Sequence, residues 1–278
     1  MGAELARIEA GRGGRPLLLV HGFTGASVDF ADHLDALAAA GWHAVAPDLP
    51  GHGQSHPAGF VFTFDAYADV LLELADDLGW DDFAIVGHSM GGVVVQHLAF
   101  RAPERLAAMV LMDTSPERFA IDADVVEVAC QVVAADGMPA LLALQKVLGT
   151  PLETDAGRRL REQRPGWVEL QDSKLLQAAP DMYIAMARAL TSAPSRVDAL
   201  AQVMIPTLVL VGELDTLLFE PSLRLAAAIP GAELVISPGA GHSPQLEAPE
   251  AWRTAVMSFL TTLSSPTRGS APSRPRPG

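Results

Sequence analysis

The stretch from Phe83 to Phe100 constrains this chain more than any other. A short apolar run, FAIV, enters Gly87-His88-Ser89-Met90-Gly91-Gly92 and leaves as the apolar helical pattern GGVVVQHLAF. Four apolar residues closed by a glycine read as a buried strand, and the longer run behind them reads as a helix. The small residues at the join allow a strand-to-helix turn too sharp for bulky side chains. Such a G-x-S-x-G turn lifts the serine hydroxyl out of the backbone and sets a helix amino terminus beneath it, where developing negative charge is favoured.

The same strand-then-helix grammar repeats along the chain. Pro16–Val20, His43–Pro47, Phe83–Val86 and Ala107–Met112 are strand-like, with helical patterns at 28–40, 64–78 and 91–101 between and after them. Buried parallel strands are near-continuous apolar runs, so the fold class expected is α/β, with a mostly parallel central sheet flanked by helices. From about Ser115 to Arg196 the alternation stops. Helical periodicity fills 124–135, 139–148, 156–164 and 180–191, and only at Pro206–Val211 does a strand return, followed by a helix at 221–229, a strand at 233–236 and a helix at 249–263. The division expected is therefore a core of residues 1–114 and 197–263, a helical cap or lid inserted at 115–196, and a disordered Pro/Ser/Arg tail at 264–278.

Composition narrows the function classes. With 19 basic and 33 acidic residues the net charge is −14, and three arginines of the basic set lie in the tail. A body so acidic repels nucleic-acid phosphates and anionic membrane surfaces, so neither is expected as a partner. A single cysteine, Cys130, excludes an internal disulfide, and the absence of asparagine excludes a Cys-His-Asn triad. The charged amino-terminal stretch has no apolar core of a signal peptide, and no uninterrupted apolar run approaches about 18 residues, so a cytoplasmic enzyme is expected. No zinc, EF-hand or dinucleotide motif is present, and neither a metal nor a cofactor is expected.

A serine nucleophile needs a base and an acid to orient it. Of the eight histidines, His242 follows the strand at 233–236 through the flexible Ser237-Pro-Gly-Ala-Gly241 loop, which allows it to reach the carboxyl edge of the sheet. His88 precedes Ser89 on the strand and is expected to point away from its hydroxyl. His97, His33 and His43 read as packed or surface residues, and His52 and His56 lie in a turn-rich loop near the mouth as possible substrate contacts. For the acid, Asp215 lies just past the strand at 207–211, with Asp113 after the preceding strand as a competitor and Glu213 as a weaker one. The order Ser89, Asp215, His242 is the nucleophile-acid-histidine order that accompanies the serine elbow. Two backbone donors complete an oxyanion site, Met90 after the nucleophile and Phe23 in the His21-Gly22-Phe23-Thr24-Gly25 loop.

Taken together, HGFTG, DLPGHGQS, GHSMGG, GELD and AGHSPQLEAPE resemble the α/β-hydrolase superfamily from Pro16 to Leu263, in particular its cap-bearing esterases, C–C hydrolases and menaquinone-pathway-like members. The resemblance implies Ser89 as nucleophile, Asp215 as acid, His242 as base, and Phe23 and Met90 as oxyanion donors. It departs from the C–C hydrolases of aromatic catabolism, which carry Gly-Pro-Gly where this chain has HGFTGAS, and serine in place of aspartate argues against dehalogenases and epoxide hydrolases. The expected activity is hydrolysis of a small-to-medium carboxylic ester through an acyl-enzyme, by a monomer or homodimer. Phe23, Met90, Leu217 and Leu218, with Phe119, Met182 and Met186 from the cap, are the candidate apolar pocket residues, and the two methionines, four apart on one helix face, serve equally as packing. C–C hydrolysis, lactone or thioester hydrolysis, a lyase reaction on the same triad, and a non-catalytic small-ligand receptor are the alternatives.

Overall fold

In the computed structural model, which describes residues 5–56, 58–150 and 153–263, seven strands form one sheet. They are β1 (Arg7–Ala10), β2 (Arg15–Val20), β3 (Trp42–Pro47), β4 (Phe83–His88), β5 (Leu106–Met112), β6 (Thr207–Gly212) and β7 (Glu233–Ser237), in the spatial order β1-β3-β2-β4-β5-β6-β7. Only β1 runs antiparallel, along β3. The apolar runs expected to be strands are strands. The edge strand β1 was not anticipated, because four residues, RIEA, carry too little alternation to stand out beside polar neighbours.

Side-chain alternation divides the core into two layers. Leu17 and Leu19 of β2 share one layer with Ala84, Val86, Val110 and Leu210, covered by α1 (Ala31–Ala39) and by Trp252, Val256 and Phe259 of a carboxyl-terminal helix, Pro249–Thr262. Leu18 and Val20 share the other layer with Ile85, Leu111 and Val209, covered by α2 (Phe64–Asp77) and α3 (Met90–Arg101). The helix expected over 28–40 begins instead as a 3-10 turn at Ser27–Phe30 and becomes α-helical only at Ala31.

Between β5 and β6 the chain is helical. This insertion holds α4 (Ala123–Leu148), α5 (Asp155–Gln163), α6 (Trp167–Gln177), α7 (Pro180–Ser192) and α8 (Val197–Leu200). The sequence reading missed α6, although Trp167, Leu170, Lys174 and Leu175 fall on one helical face. By length and composition α4 has the makings of a membrane span, but Gly137 (φ 75°, ψ −174°) breaks it and Pro139 follows, as the two separate helical patterns foretold. Neither half approaches the roughly 20 residues of a bilayer crossing. The tail expected at 264–278 lies outside the described residues.

Candidate active site

Strand β4 delivers Ser89 into a turn with φ 53° and ψ −115°, backbone that L-residues with a side chain rarely adopt. Close packing enforces it. A Cβ at Gly87 would come within 2.6 Å of the Gly91 carbonyl, and one at Gly91 within 2.5 Å of the Val20 carbonyl, so helix α3 starts directly against β2 and β4. The Ser89 N–H donates to Met112 O at 2.8 Å, and the Thr114 hydroxyl donates to Ser89 O at 2.7 Å. The elbow is thus pinned from β5 as well as from its own helix.

Loops from the carboxyl ends of β6 and β7 bring the other members. His242 Nε2 lies 3.1 Å from Ser89 Oγ, and His242 Nδ1 lies 2.7 Å from Asp215 Oδ2. Asp215 is fixed in turn, since its Oδ1 accepts the N–H groups of Leu217 (3.2 Å) and Leu218 (3.1 Å). Burial works to raise the Asp215 carboxyl, but the imidazole beside it and the Leu218 N–H outweigh burial and hold it below the usual carboxylate range. A carboxylate on Nδ1 leaves Nε2 as the acceptor facing the serine hydroxyl.

Asp113 does not take that place. It is fully buried at the end of β5 with φ 45°, and its Oδ1 accepts the Gly212 N–H at 2.9 Å. Its Oδ2 has no hydrogen-bond partner among the described residues. Burial, together with the nearby Asp215 carboxylate, raises the Asp113 carboxyl well above its ordinary value. Oxygens of Asp113 and Asp215 and a ring nitrogen of His242 lie within 4.8 Å of one another, and of the three only Asp215 and His242 are engaged in the Ser89 relay. Glu213 is turned aside, accepting the Gly239 N–H at 2.9 Å.

Phe23 and Met90 flank the serine. A Cβ at Gly22 would lie 3.1 Å from Ser89 Cβ, which puts the loop after β2 against the nucleophile. Neither the Phe23 nor the Met90 N–H donates to an acceptor among the described residues. His21 braces this loop, its Nδ1 donating to Gly22 O at 2.8 Å and its Nε2 accepting the Leu49 N–H at 3.0 Å.

The remaining histidines sort by their partners. His88 donates from Nε2 to the backbone carbonyl of His242 at 2.6 Å, a support for the histidine loop that sequence spacing did not reveal. Burial pulls His88 down to about 3, so it stays neutral. His52 is buried with Nδ1 3.2 Å from Pro50 O, and His56 lies 2.9 Å from Gly53 O, so both serve their own loop.

The apolar candidates lie in one cluster. Phe119, Met182, Met186 and Leu218 are buried in it, and Phe23 and Leu217 pack against it. Met182 has an assigned neighbour, because its Cβ and Cγ occupy the space a Gly51 side chain would need. The Ala179 N–H donates to Gly51 O at 2.8 Å, so the start of α7 is seated on the 48–55 loop. Tyr183, which the sequence reading passed over, stacks on Phe23 with ring centroids 4.9 Å apart. Ser89 is 2% exposed and His242 8%, so both are buried.

Comparison with known proteins agrees with this architecture. A thermophilic esterase from Thermogutta terrifontis superimposes with a TM-score of 0.78 at 30% identity, covering 94% of each chain. The enol-lactonase from Burkholderia xenovorans LB400 superimposes with a TM-score of 0.79 at 26% identity, covering 92% of this chain and 96% of that one. In sequence, this chain is 31% identical over 252 residues to the dihydrolipoyllysine-residue acetyltransferase component of the acetoin cleaving system of Pseudomonas putida. That match takes in 90% of this chain but only 64% of the longer relative. The sequence profile of the alpha/beta hydrolase fold family matches residues 15–249, more than half of the chain, and the protein belongs to that family.

Proposed function

We propose that this chain is a carboxylic-ester hydrolase in which Ser89 is the nucleophile, His242 the general base and Asp215 the orienting acid. The observation that carries the reading is the unbroken relay from Ser89 Oγ to His242 Nε2 (3.1 Å) and from Nδ1 to Asp215 Oδ2 (2.7 Å), on a serine held at φ 53°. Ser89 Oγ attacks the ester carbonyl carbon as its proton passes to His242 Nε2, and the carbonyl oxygen becomes an oxyanion held by the Phe23 and Met90 N–H groups. The tetrahedral centre collapses, and the alcohol leaves with the proton from His242. A water molecule then attacks the acyl-enzyme, again giving its proton to His242, and releases the acid and free Ser89.

The substrate inferred is a neutral ester with an apolar acyl group. An anionic substrate calls for an unpaired cation at the site, and the two buried cations among the described residues are engaged elsewhere. Lys174 pairs with Asp29, and Arg196 donates to Gln96 Oε1 and Ser115 O, each at 3.0 Å. Residues 115–196 serve as a cap on this reading, with Tyr183 on Phe23 and Ala179 on Gly51 as its seats. The esterase and enol-lactonase relatives lend the acyl chemistry support, a lactone being a cyclic ester. Kinetics on p-nitrophenyl esters of increasing acyl length test the reading. Turnover that is lost in Ser89→Ala is expected, and no turnover of any open-chain or cyclic ester would leave a ligand-binding protein on a hydrolase scaffold.

A further inference from the structure

The insertion meets the loop after β2 at a second place, beneath the backbone rather than on Phe23. Asp29 lies in the 3-10 turn at Ser27–Phe30, and its Oδ2 accepts the Ala26 N–H at 3.1 Å. The same oxygen fills the space beside Gly25, where a Cβ would come within 2.7 Å of it. Gly25 in turn donates its N–H to Gly22 O at 3.0 Å, closing the short turn that carries Phe23 and Thr24. Thr24 sits at φ 56°, so this turn holds a conformation its sequence does not favour by itself.

The charge on Asp29 is answered from across the molecule. Lys174 Nζ, on α6 of the insertion, lies 2.5 Å from Asp29 Oδ1. The two side chains are 8% and 6% exposed, and every other Lys or Arg ion pair among the described residues has at least one side chain more than a fifth exposed. Solvent-exposed pairs contribute little, whereas a buried charge that loses its partner is strongly unfavourable. Lys174 holds Asp29 ionised, against a burial effect that alone would raise its carboxyl. Withdrawal of α6 therefore strands a carboxylate beneath Gly25.

We propose that Lys174 is a positioning residue for the oxyanion donor: by pairing with Asp29 under the Gly22–Gly25 turn, the insertion fixes the Phe23 N–H at the angle the developing oxyanion needs. The inference rests on the reading of Phe23 as a donor to that oxygen. It gives the insertion a part in the chemical step, beyond shaping a pocket. The ionic seat under Gly25 and the Tyr183 ring on Phe23 grip the loop from two sides, so the oxyanion site is complete only with the insertion docked.

Lys174→Met keeps the length of the side chain and removes its charge, Lys174→Arg keeps the charge, and Asp29→Asn keeps an acceptor for Ala26. The readouts are kcat and KM on an activated ester, and the affinity for an alkyl trifluoromethyl ketone. Ser89 Oγ adds to that ketone carbonyl, the proton passes to His242, and the resulting oxyanion occupies the same donors. Lys174→Met is expected to lower kcat and ketone affinity together by about 10- to 100-fold, a fraction of the loss when such a donor is deleted. KM should stay within about twofold. Lys174→Arg is expected to retain most activity, and Asp29→Asn/Lys174→Met to recover part of the loss because neither charge is left alone. A folded Lys174→Met with a lower Tm but unchanged kcat and ketone affinity overturns the proposal, as does a rise in KM alone. If Lys174→Met does not fold, Asp29→Asn decides the matter by the same two readouts. Labelling of wild-type Ser89 by a fluorophosphonate is scored first. Its absence overturns the site reading and this inference together, whereas a labelled wild type with unaffected variants overturns this inference alone.

Discussion

Asp113 and Asp215 stand side by side beneath His242, their oxygens within 4.8 Å, yet only Asp215 bonds the imidazole. Two carboxylates so close inside a protein do not both ionise freely. The environment divides them. Asp215 has the imidazole and two backbone N–H donors to hold its charge, while Asp113 has one N–H and a bare Oδ2. Burial and the neighbouring carboxylate raise the Asp113 carboxyl while the Asp215 carboxyl is held low, and the two acids are expected to respond differently to the same substitution.

Asp215→Asn presents an amide where the imidazole N–H needs an acceptor, and the wrong tautomer is favoured. In the best-studied Ser-His-Asp triad this costs about 10⁴-fold in kcat, and a loss of similar order is expected here. Asp113→Asn should lower kcat by less than about tenfold. Steady-state kinetics on one activated ester decide between them, and the reverse ranking would place the orienting acid on Asp113.

Asp113→Asn carries a second, pH-dependent expectation. A carboxyl whose value is raised on folding keeps its proton in the native state after the unfolded chain has released it. Native stability then falls as pH rises from the ordinary carboxyl range towards the raised value. The asparagine can still accept the Gly212 N–H and has no proton to release. Its Tm relative to wild type should therefore climb between pH 5 and pH 8, and a constant difference across that range would count against a protonated Asp113.

At the elbow, chemistry and strain separate. Ser89→Ala should abolish ester turnover while leaving Tm within a few degrees, because alanine at φ 53° is as strained as serine and the hydroxyl bonds only His242 among the described residues. Ser89→Gly should be equally inactive but more stable. Relief of about 1–3 kcal/mol of backbone strain is set against roughly 0.5–1 kcal/mol of extra glycine entropy, leaving about 1 kcal/mol in favour of glycine over alanine. Thermal melts of the two variants measure the difference, and equal Tm values would deny that the turn is strained.

The methionines of α7 part company in the same way. Both are fully buried, so truncation to alanine should cost about 2–5 kcal/mol each. Met182 presses on Gly51, and Met182→Ala is expected to lower Tm without changing the order of preference among acyl chain lengths. Met186, one turn further along α7, has no such assigned seat, and Met186→Ala should shift kcat/KM towards longer acyl chains. A shift in Met182→Ala with none in Met186→Ala would exchange their roles.

Much of this protein is written locally. The strand-turn-helix of FAIV-GHSMGG-VVVQ folds as it reads because Gly87 and Gly91 answer contacts within their own βα unit and with the strand beside it. The apolar runs become parallel strands because no polar alternation offers them a solvent face. The order of Ser89, Asp215 and His242 and the helical insertion were legible for the same reason, since each lies at the end of a recognisable strand. What sequence left open was decided by register and docking. Asp113 and Asp215 both follow strands, and only the pairing of Met112 with Leu210, which carries the Gly212 N–H onto Asp113, ties one acid down while the other meets the histidine. His88 under His242, Tyr183 on Phe23 and Lys174 against Asp29 join residues 154, 160 and 145 positions apart. No local pattern encodes such pairs, because their free energy arises only when desolvated groups from separate elements are brought together and each answers the other's charge, hydrogen bond or ring face.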